Sequence, residues 1–313
     1  MKVLLTGGSS FTGLWFARSL NARGHAVVAP LKGTGYSGLR SIRVDELKKV
    51  AEVIDDCPFG SSRFLDLVDA ERFDLLCHHA ARSGDYRSSG FDVLAAVAEN
   101  THNMPAVLKA MLKHGLVGVV ATGSIFEQDE GVGSEHTRAF SPYGLSKGLT
   151  WQFYRFLSET FGFKLAKFTI PNPFGPFEEP RFCTYLVRSW FNGDVPTVRT
   201  PLYVRDNVHV DLLAAAYAAF TEQVMLPGSV SKLNPSFYIE SQGAFARRFA
   251  SEMEPRLGLA CPLVLLDQSE FGEPMVRINT DRLNGTDFGW SERVAWDNEA
   301  AFYIDAKDTI MVG

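Results

Sequence analysis

A chain of 313 residues, 46% hydrophobic and 21% charged, is long enough to bury its own core and too apolar to stay disordered. Thirty-one Lys and Arg against 36 Asp and Glu leave a formal charge of −5, which argues against a protein built to grip nucleic acid. Cys57, Cys77, Cys183 and Cys261 lie far apart with no Cys-x-x-Cys, so neither a disulfide framework nor a structural zinc site is expected.

The chain opens on a short strand, Lys2–Leu5, that meets Gly7-Gly8 at once. This apolar run is too short for a secretory leader, and no stretch approaches the ~20 apolar residues that cross a bilayer. A cytoplasmic protein with no membrane partner is expected. Phe11, Leu14, Trp15, Ala17 and Leu20 recur at helical spacing, with Asn21 and Gly24 as a stop. Strands are expected at His25–Ala29, ahead of Asp55-Asp56, at Phe73–His79, at Leu116–Thr122 and at Leu165–Ile170. Val93–His114 reads as a helix that Pro105 kinks, and Ser141–Phe161 as a long aromatic-rich helix. Alternation of strand and helix implies an α/β fold with a parallel sheet covered on both faces. Four prolines between Pro171 and Pro180 mark a domain boundary, and a loose tail is expected from about Lys307.

Thr6-Gly7-Gly8-Ser9-Ser10-Phe11-Thr12-Gly13 lies between the first strand and the first helix. Small residues there let a backbone approach a pyrophosphate, and the helix start offers unpaired N–H groups and a positive dipole end. Dinucleotide binding by Gly7, Ser9, Ser10, Phe11, Thr12 and Gly13 follows, although Ser10 stands where a middle glycine is usual. The second strand runs out through Lys32 with no acid before Asp45, so a lysine rather than a carboxylate meets the adenosine ribose. That leans toward NADP over NAD. Asp55 or Asp56 is expected at the adenine.

Tyr143 and Lys147 are four residues apart at the start of the long helix, so phenol and ammonium share one face. A neighbouring ammonium stabilises phenolate and makes Tyr143 a usable acid or base near neutrality. Thr122 and Ser124, just past an apolar strand, offer a hydroxyl to the same substrate oxygen. After the proline loop, Cys183 and Arg181 are candidates for the substrate side. The adjacent pair His78-His79 would point to opposite faces of a strand, so no metal site is expected there.

These motifs resemble the extended short-chain dehydrogenase/reductase superfamily, in particular its NAD-dependent epimerase/dehydratase branch, which acts on nucleotide sugars. Thr6–Gly13 is similar to that family's T-G-x-x-G-x-x-G, and His78–Ala81 to its H-x-A-A segment, which places Ala80 and Ala81 beneath the cofactor. Asn100 matches a family asparagine, although Asn103-Met104 replace the Gly-Thr that follows it. Thr122 matches the catalytic hydroxyl position, with Ser124 as the alternative. Pro171 and Asn172–Pro176 resemble a loop lying against the nicotinamide, Pro171 on the cofactor side and Asn172 on the substrate side. Arg205 falls where the family binds the sugar-nucleotide pyrophosphate, a role that suits a planar guanidinium. Phe271–Pro274 occupies the neighbourhood of an expected second arginine.

The resemblance implies a Rossmann-type doubly wound sheet over residues 1–170, with 202–240 returning to it. It implies a smaller, discontinuous substrate region from 171–201 and 241–313, and a homodimer. Dehydratases of the family carry Asp-Glu directly after the catalytic threonine, where this chain has Gly123-Ser124. A keto-sugar reductase, favoured by the NADP lean, and an epimerase are the readings that follow. A reductase of a small non-nucleotide ketone and a non-catalytic dinucleotide sensor are the alternatives.

Overall fold

The computed structural model describes residues 1–84, 88, 90–226 and 231–307. Its elements run β1 (Lys2–Thr6), α1 (Phe11–Ala22), β2 (Ala26–Pro30), α2 (Gly38–Leu47), β3 (Glu52–Ile54), α3 (Ser62–Ala70) and β4 (Leu75–His78). Next come α4 (Val93–Asn100), α5 (Met104–Lys113), β5 (Gly118–Ser124), β6 (Val132–Gly133), α6 (Pro142–Phe161) and β7 (Lys164–Ile170). Then follow β8 (Asn172–Phe174), α7 (Phe182–Phe191), β9 (Thr197–Val198), β10 (Val204–His209), α8 (Val210–Gln223) and β11 (Lys232–Leu233). The chain closes with β12 (Pro235–Ser236), β13 (Tyr238–Ser241), α9 (Gln242–Leu257), β14 (Val264–Leu265), β15 (Arg277–Ile278), β16 (Asp281–Arg282) and α10 (Glu292–Asp305).

Two compact units divide these elements. Unit 1 comprises Met1–Glu130, Thr137–Ile170 and Ala214–Asn234. Among its described residues seven strands form one parallel sheet, in the order β11-β7-β5-β4-β1-β2-β3. The order reverses between β1 and β4, the switch point at which Rossmann-type sheets open a crevice beyond their strand ends. The β1 and β4 runs Val3–Leu5 and Leu75–Cys77 are fully buried, as strands covered on both faces must be. On one face Leu76, Val119 and Ala121 pack with Phe64, Leu108, Tyr154 and Leu157 of α3, α5 and α6. The opposite face takes Phe16 of α1, which stacks on Tyr217 of α8 at 3.8 Å between centroids.

The single helix expected over Val93–His114 is two. Asn103 takes a left-handed φ of +50° and donates through Nδ2 to the Gly60 carbonyl at 2.7 Å, which ends one helix and turns the chain into the next. Pro105 then lies in the first turn of α5, where a missing N–H costs nothing, so it starts a helix instead of kinking one.

Unit 2 comprises Gly131–His136, Pro171–Leu213 and Pro235–Gly313. β10 pairs with β8 in parallel and β13 antiparallel. The core joins Phe174, Leu186, Trp190, Phe249, Trp296 and Tyr303. Two buried carboxyls, Glu178 and Glu299, lie against this core: Glu178 raises the pKa of Glu299, and both raise those of Cys183 and Tyr303. The tail expected from about Lys307 lies, apart from Lys307 itself, outside the described residues. No helix among the described residues is long and apolar enough to cross a membrane.

Candidate active site

The turn after β1 is shaped by two glycines. Gly7 has φ of +76°, and a Cβ on it would lie 2.8 Å from the Ala80 nitrogen. A Cβ on Gly13 would lie 2.2 Å from the Gly7 carbonyl oxygen. Ser10 has an extended backbone, φ −79° and ψ 167°, so this position does not need a glycine. Its Oγ accepts the Gly13 N–H at 3.1 Å and donates to the Gly7 carbonyl at 2.8 Å, capping α1 with the hydroxyl turned inward. Phe11 and Thr12 follow, buried, in the first turn of α1. The result is a cradle of backbone N–H groups at a helix start with side chains excluded at two points, which fits a dinucleotide pyrophosphate.

The end of β4 is drawn onto this turn. Thr6 Oγ1 accepts the N–H groups of His79 at 3.1 Å and Ala80 at 3.0 Å. His79 Nε2 lies 3.0 Å from both Ser10 Oγ and Thr12 Oγ1, and burial drives its pKa down to about 3, so the ring is neutral. His78 points to the other layer, between Phe59 and Tyr154, and is likewise pushed down to about 3 by burial. Ala80 and Ala81 are half-buried beside the turn. Asn100 accepts the Arg82 N–H at 2.9 Å and donates to Thr150 at 3.4 Å, tying this segment to α6.

At the far end of the turn, Lys32 is ion-paired with Glu99 at 2.5 Å, its side chain 69% exposed. The cations that do touch the turn were not foreseen. Arg40 donates to Ser9 Oγ at 2.9 Å and the buried Arg43 to the Ser9 carbonyl at 3.1 Å. Asp56, just past β3, is exposed with φ of +51°.

Ser141 caps α6 by accepting the Gly144 N–H at 3.2 Å. The first turns of this helix carry Tyr143, half-buried with Phe91 edge-on at 6.3 Å, and Lys147, 6% exposed. Burial draws the Lys147 pKa down to about 8; Glu127 opposes that shift and Lys167 adds to it. At the end of β5, alternation sends Thr122 to the face of α1 and α8, where its hydroxyl and that of Tyr217 lie close without a hydrogen bond of normal geometry. Gly123 faces α6 instead, and a Cβ there would lie 2.5 Å from Lys167 Cε. Ser124 Oγ accepts the Phe126 N–H at 3.2 Å and keeps its own proton for another acceptor.

Unit 1 thus carries the turn, Ala80, Asn100, Tyr143, Lys147, Thr122 and Ser124, with Ala80 against the turn and Asn100 tied to α6. Sequence reasoning passed over Glu127 and Lys167, although a lysine inside the apolar run Leu165–Ile170 is itself a signal, since a buried ammonium needs a partner.

The substrate-side candidates belong to unit 2. Pro171 is buried, and Asn172 lies half-buried on β8 opposite Asn207 of β10. Arg181 is exposed at the start of α7. Cys183 is 3% exposed, its thiol pushed up by burial and by the nearby Glu178 and Glu299. Arg205 is engaged within its own unit: NH2 pairs with Glu273 at 2.9 Å, and NH1 donates to the carbonyls of Val204, Pro274 and Met275.

The sequence matches the NAD dependent epimerase/dehydratase family over residues 3–230. A curated relative, dTDP-glucose 4,6-dehydratase of Actinoplanes sp., is 29% identical over 233 residues, which cover 67% of this chain and 69% of that protein. Among solved structures, UDP-glucuronic acid 4-epimerase from Bacillus cereus, in complex with UDP-glucuronic acid and NAD, superposes with a TM-score of 0.74 at 17% identity. That match covers 97% of this chain and 99% of the other. UDP-glucose-4-epimerase from Stenotrophomonas maltophila, with bound NAD and formylated UDP-arabinopyranose, gives 0.74 at 21% identity, covering 98% and 99%. At such identities the likeness is one of fold.

Proposed function

The chain belongs to the NAD dependent epimerase/dehydratase family of enzymes, and on that premise we propose that it is a nucleotide-sugar epimerase that inverts a carbon bearing a secondary hydroxyl. The observation that carries this reading is the pairing of Tyr143 with a buried Lys147 one helical turn on, beside a glycine cradle suited to a dinucleotide. When bound, the nicotinamide supplies hydride transfer at the sugar carbon. Tyr143 takes the proton from the hydroxyl oxygen and gives it back, and Lys147 stabilises the phenolate. Ser124, at the very end of β5, donates to the same oxygen. Thr122, on the same face but two residues deeper and against Tyr217, is a poorer candidate. Dehydration is disfavoured because Gly123 and Ser124 stand where dehydratases of the family carry acids, and Lys167 and Glu127 fill the space beside Gly123.

The keto-sugar reductase reading leaned on Lys32 as a reader of NADP. Glu99 already holds that ammonium, so the lean loses its support and NAD is the cofactor we favour. Arg40 is the cation that a 2′-phosphate would meet, so Lys32→Ala should leave the ratio of NADPH to NADH affinity within about twofold by calorimetry. A larger change would restore Lys32 as the reader.

The deciding experiment supplies UDP-, dTDP-, GDP- and CDP-sugars without added cofactor and follows the anomeric signals by proton NMR. An epimer should form from one of them. Steady oxidation of NADH or NADPH in proportion to a keto-sugar would instead establish the reductase. Arg205 can clamp a substrate pyrophosphate only by exchanging Glu273 for phosphate. Arg205→Ala should then weaken the nucleotide sugar at least tenfold, whereas unchanged affinity would leave Arg205 a strut within unit 2.

Self-association fits the same reading. Leu94 on α4 and Leu145, Leu149 and Phe156 on α6 are exposed, Phe156 to 61%. Light scattering should return twice the monomer mass, and Phe156→Glu should return the monomer.

A further inference from the structure

Lys147 has a buried surrounding that the tyrosine–lysine pair alone does not require. Residues 125–130, which follow β5, lie flat against α6: a Cβ on Gly144 would be 2.0 Å from the Phe126 carbonyl oxygen, and one on Gly148 2.3 Å from the Gln128 amide. Gly144 and Gly148 are one turn apart, and Lys147 shares their side of the helix. From this segment Glu127, 0% exposed, projects inward. Its Oε1 accepts the Ser124 N–H at 2.8 Å and its Oε2 pairs with Lys167 Nζ at 2.5 Å. Lys167, 2% exposed on β7, also pairs with Glu130 at 2.6 Å, and Lys232 pairs with Glu130 at 2.7 Å.

We propose that Glu127 is a positioning residue of this site, the buried counter-ion that keeps the Lys147 ammonium charged one turn from Tyr143, with Lys167 holding its carboxylate in place. Its proposed part in the reaction is indirect, exerted through Lys147. The inference rests on the catalytic role proposed above for Tyr143 and Lys147.

Three cations and two carboxylates share this buried region: Lys147, Lys167 and Lys232 with Glu127 and Glu130. His78 and His79, on opposite faces at the end of β4, both feel the Lys147 charge and both stay neutral above about pH 3, so they add no charge near neutrality. Burial raises the Glu127 pKa while Lys167 and Lys147 oppose the rise, and burial together with Lys167 works against a charged Lys147. Loss of the Glu127 charge therefore leaves Lys147 with the Lys167 repulsion unopposed by that carboxylate, and it should give up its proton earlier.

The test reads Lys147 directly, without substrate or cofactor. Protein carrying [ε-13C]lysine is titrated by NMR, and the Lys147 signal is assigned by its absence in Lys147→Met. A midpoint at about 8 leaves about three-quarters of Lys147 protonated at pH 7.5; a tenfold change in acidity leaves about one-quarter. Glu127→Gln should produce at least that change, whereas Glu127→Asp, which keeps a carboxylate beside Lys167, should move the midpoint by less than half as much. A midpoint unmoved in Glu127→Gln, or lowered as far by Glu127→Asp, overturns the proposal. If Glu127→Gln does not fold, Glu127→Met, uncharged and of similar length, is read in its place on the same terms. Since no turnover is measured, a chain that proves not to be an epimerase would leave this result standing.

Discussion

Tyr143→Phe should lower turnover a hundredfold to ten-thousandfold, the usual worth of a positioned proton donor and acceptor, while dinucleotide affinity changes less than about threefold. The ring would keep its half-buried place against Phe91, and the α6 cap from Ser141 involves the Gly144 N–H, so the substitution removes a hydroxyl and little else. Ser124→Ala should cost about tenfold or more, because it removes a donor to the developing oxyanion. Thr122→Ala should cost less, since that hydroxyl faces Tyr217. Retention of more than a tenth of the activity in Tyr143→Phe would end the assignment of proton transfer to this residue. The reverse order of the two hydroxyl variants would return the strand-end role to Thr122.

Unit 2 should become markedly less stable as the pH rises from about 5 to 8.5. Burial raises the Glu178 pKa to about 8 against the pull of Arg181, and burial lifts Glu299 well above its ordinary 4.5, with the Glu178 charge adding to the rise. The Tyr303 hydroxyl eases Glu299 ionisation only in part, and neither Glu299 oxygen has a hydrogen bond of normal geometry. A carboxyl with a raised folded-state pKa contributes stability that is complete below its unfolded pKa and is lost as pH climbs toward the folded value. Between those limits the loss is about 1.4 kcal/mol per pH unit for each such group. Ionised Glu178 makes Glu299 harder still to ionise. Glu299→Gln should therefore stabilise the protein clearly more at pH 8 than at pH 5. Urea unfolding at the two values checks this. An equal effect at both would mean that Glu299 ionises freely in the folded protein.

Much of the scaffold was legible because its determinants are local. A glycine that must adopt φ of +76° and one that cannot hold a Cβ lie in the same eight-residue turn, and buried strands such as Val3–Leu5 declare themselves by composition. The helix over Val93–His114 was misread because its break depends on Asn103 reaching the Gly60 carbonyl, 43 residues away in sequence. Lys32 was misjudged for the same reason: its partner, Glu99, comes 67 residues later. Glu127 and Lys167 are 40 apart, and no spacing rule connects a residue past one strand with the middle of another. What escapes a reading by motif is charge pairing across the sheet.

Gly123 limits how this scaffold could be reprogrammed. Dehydratases that the chain resembles place an acid at that station, yet here the Lys167 stem and a Glu127 oxygen, 2.5 and 3.1 Å from where a Cβ would be, already inhabit it. An aspartate installed there alone would be captured by the Lys167 ammonium and repelled by Glu127, leaving no free carboxyl to serve as an acid. Transplanting an elimination chemistry into this chain is therefore at least a four-position exchange, with 127 and 167 rewritten together with 123 and 124.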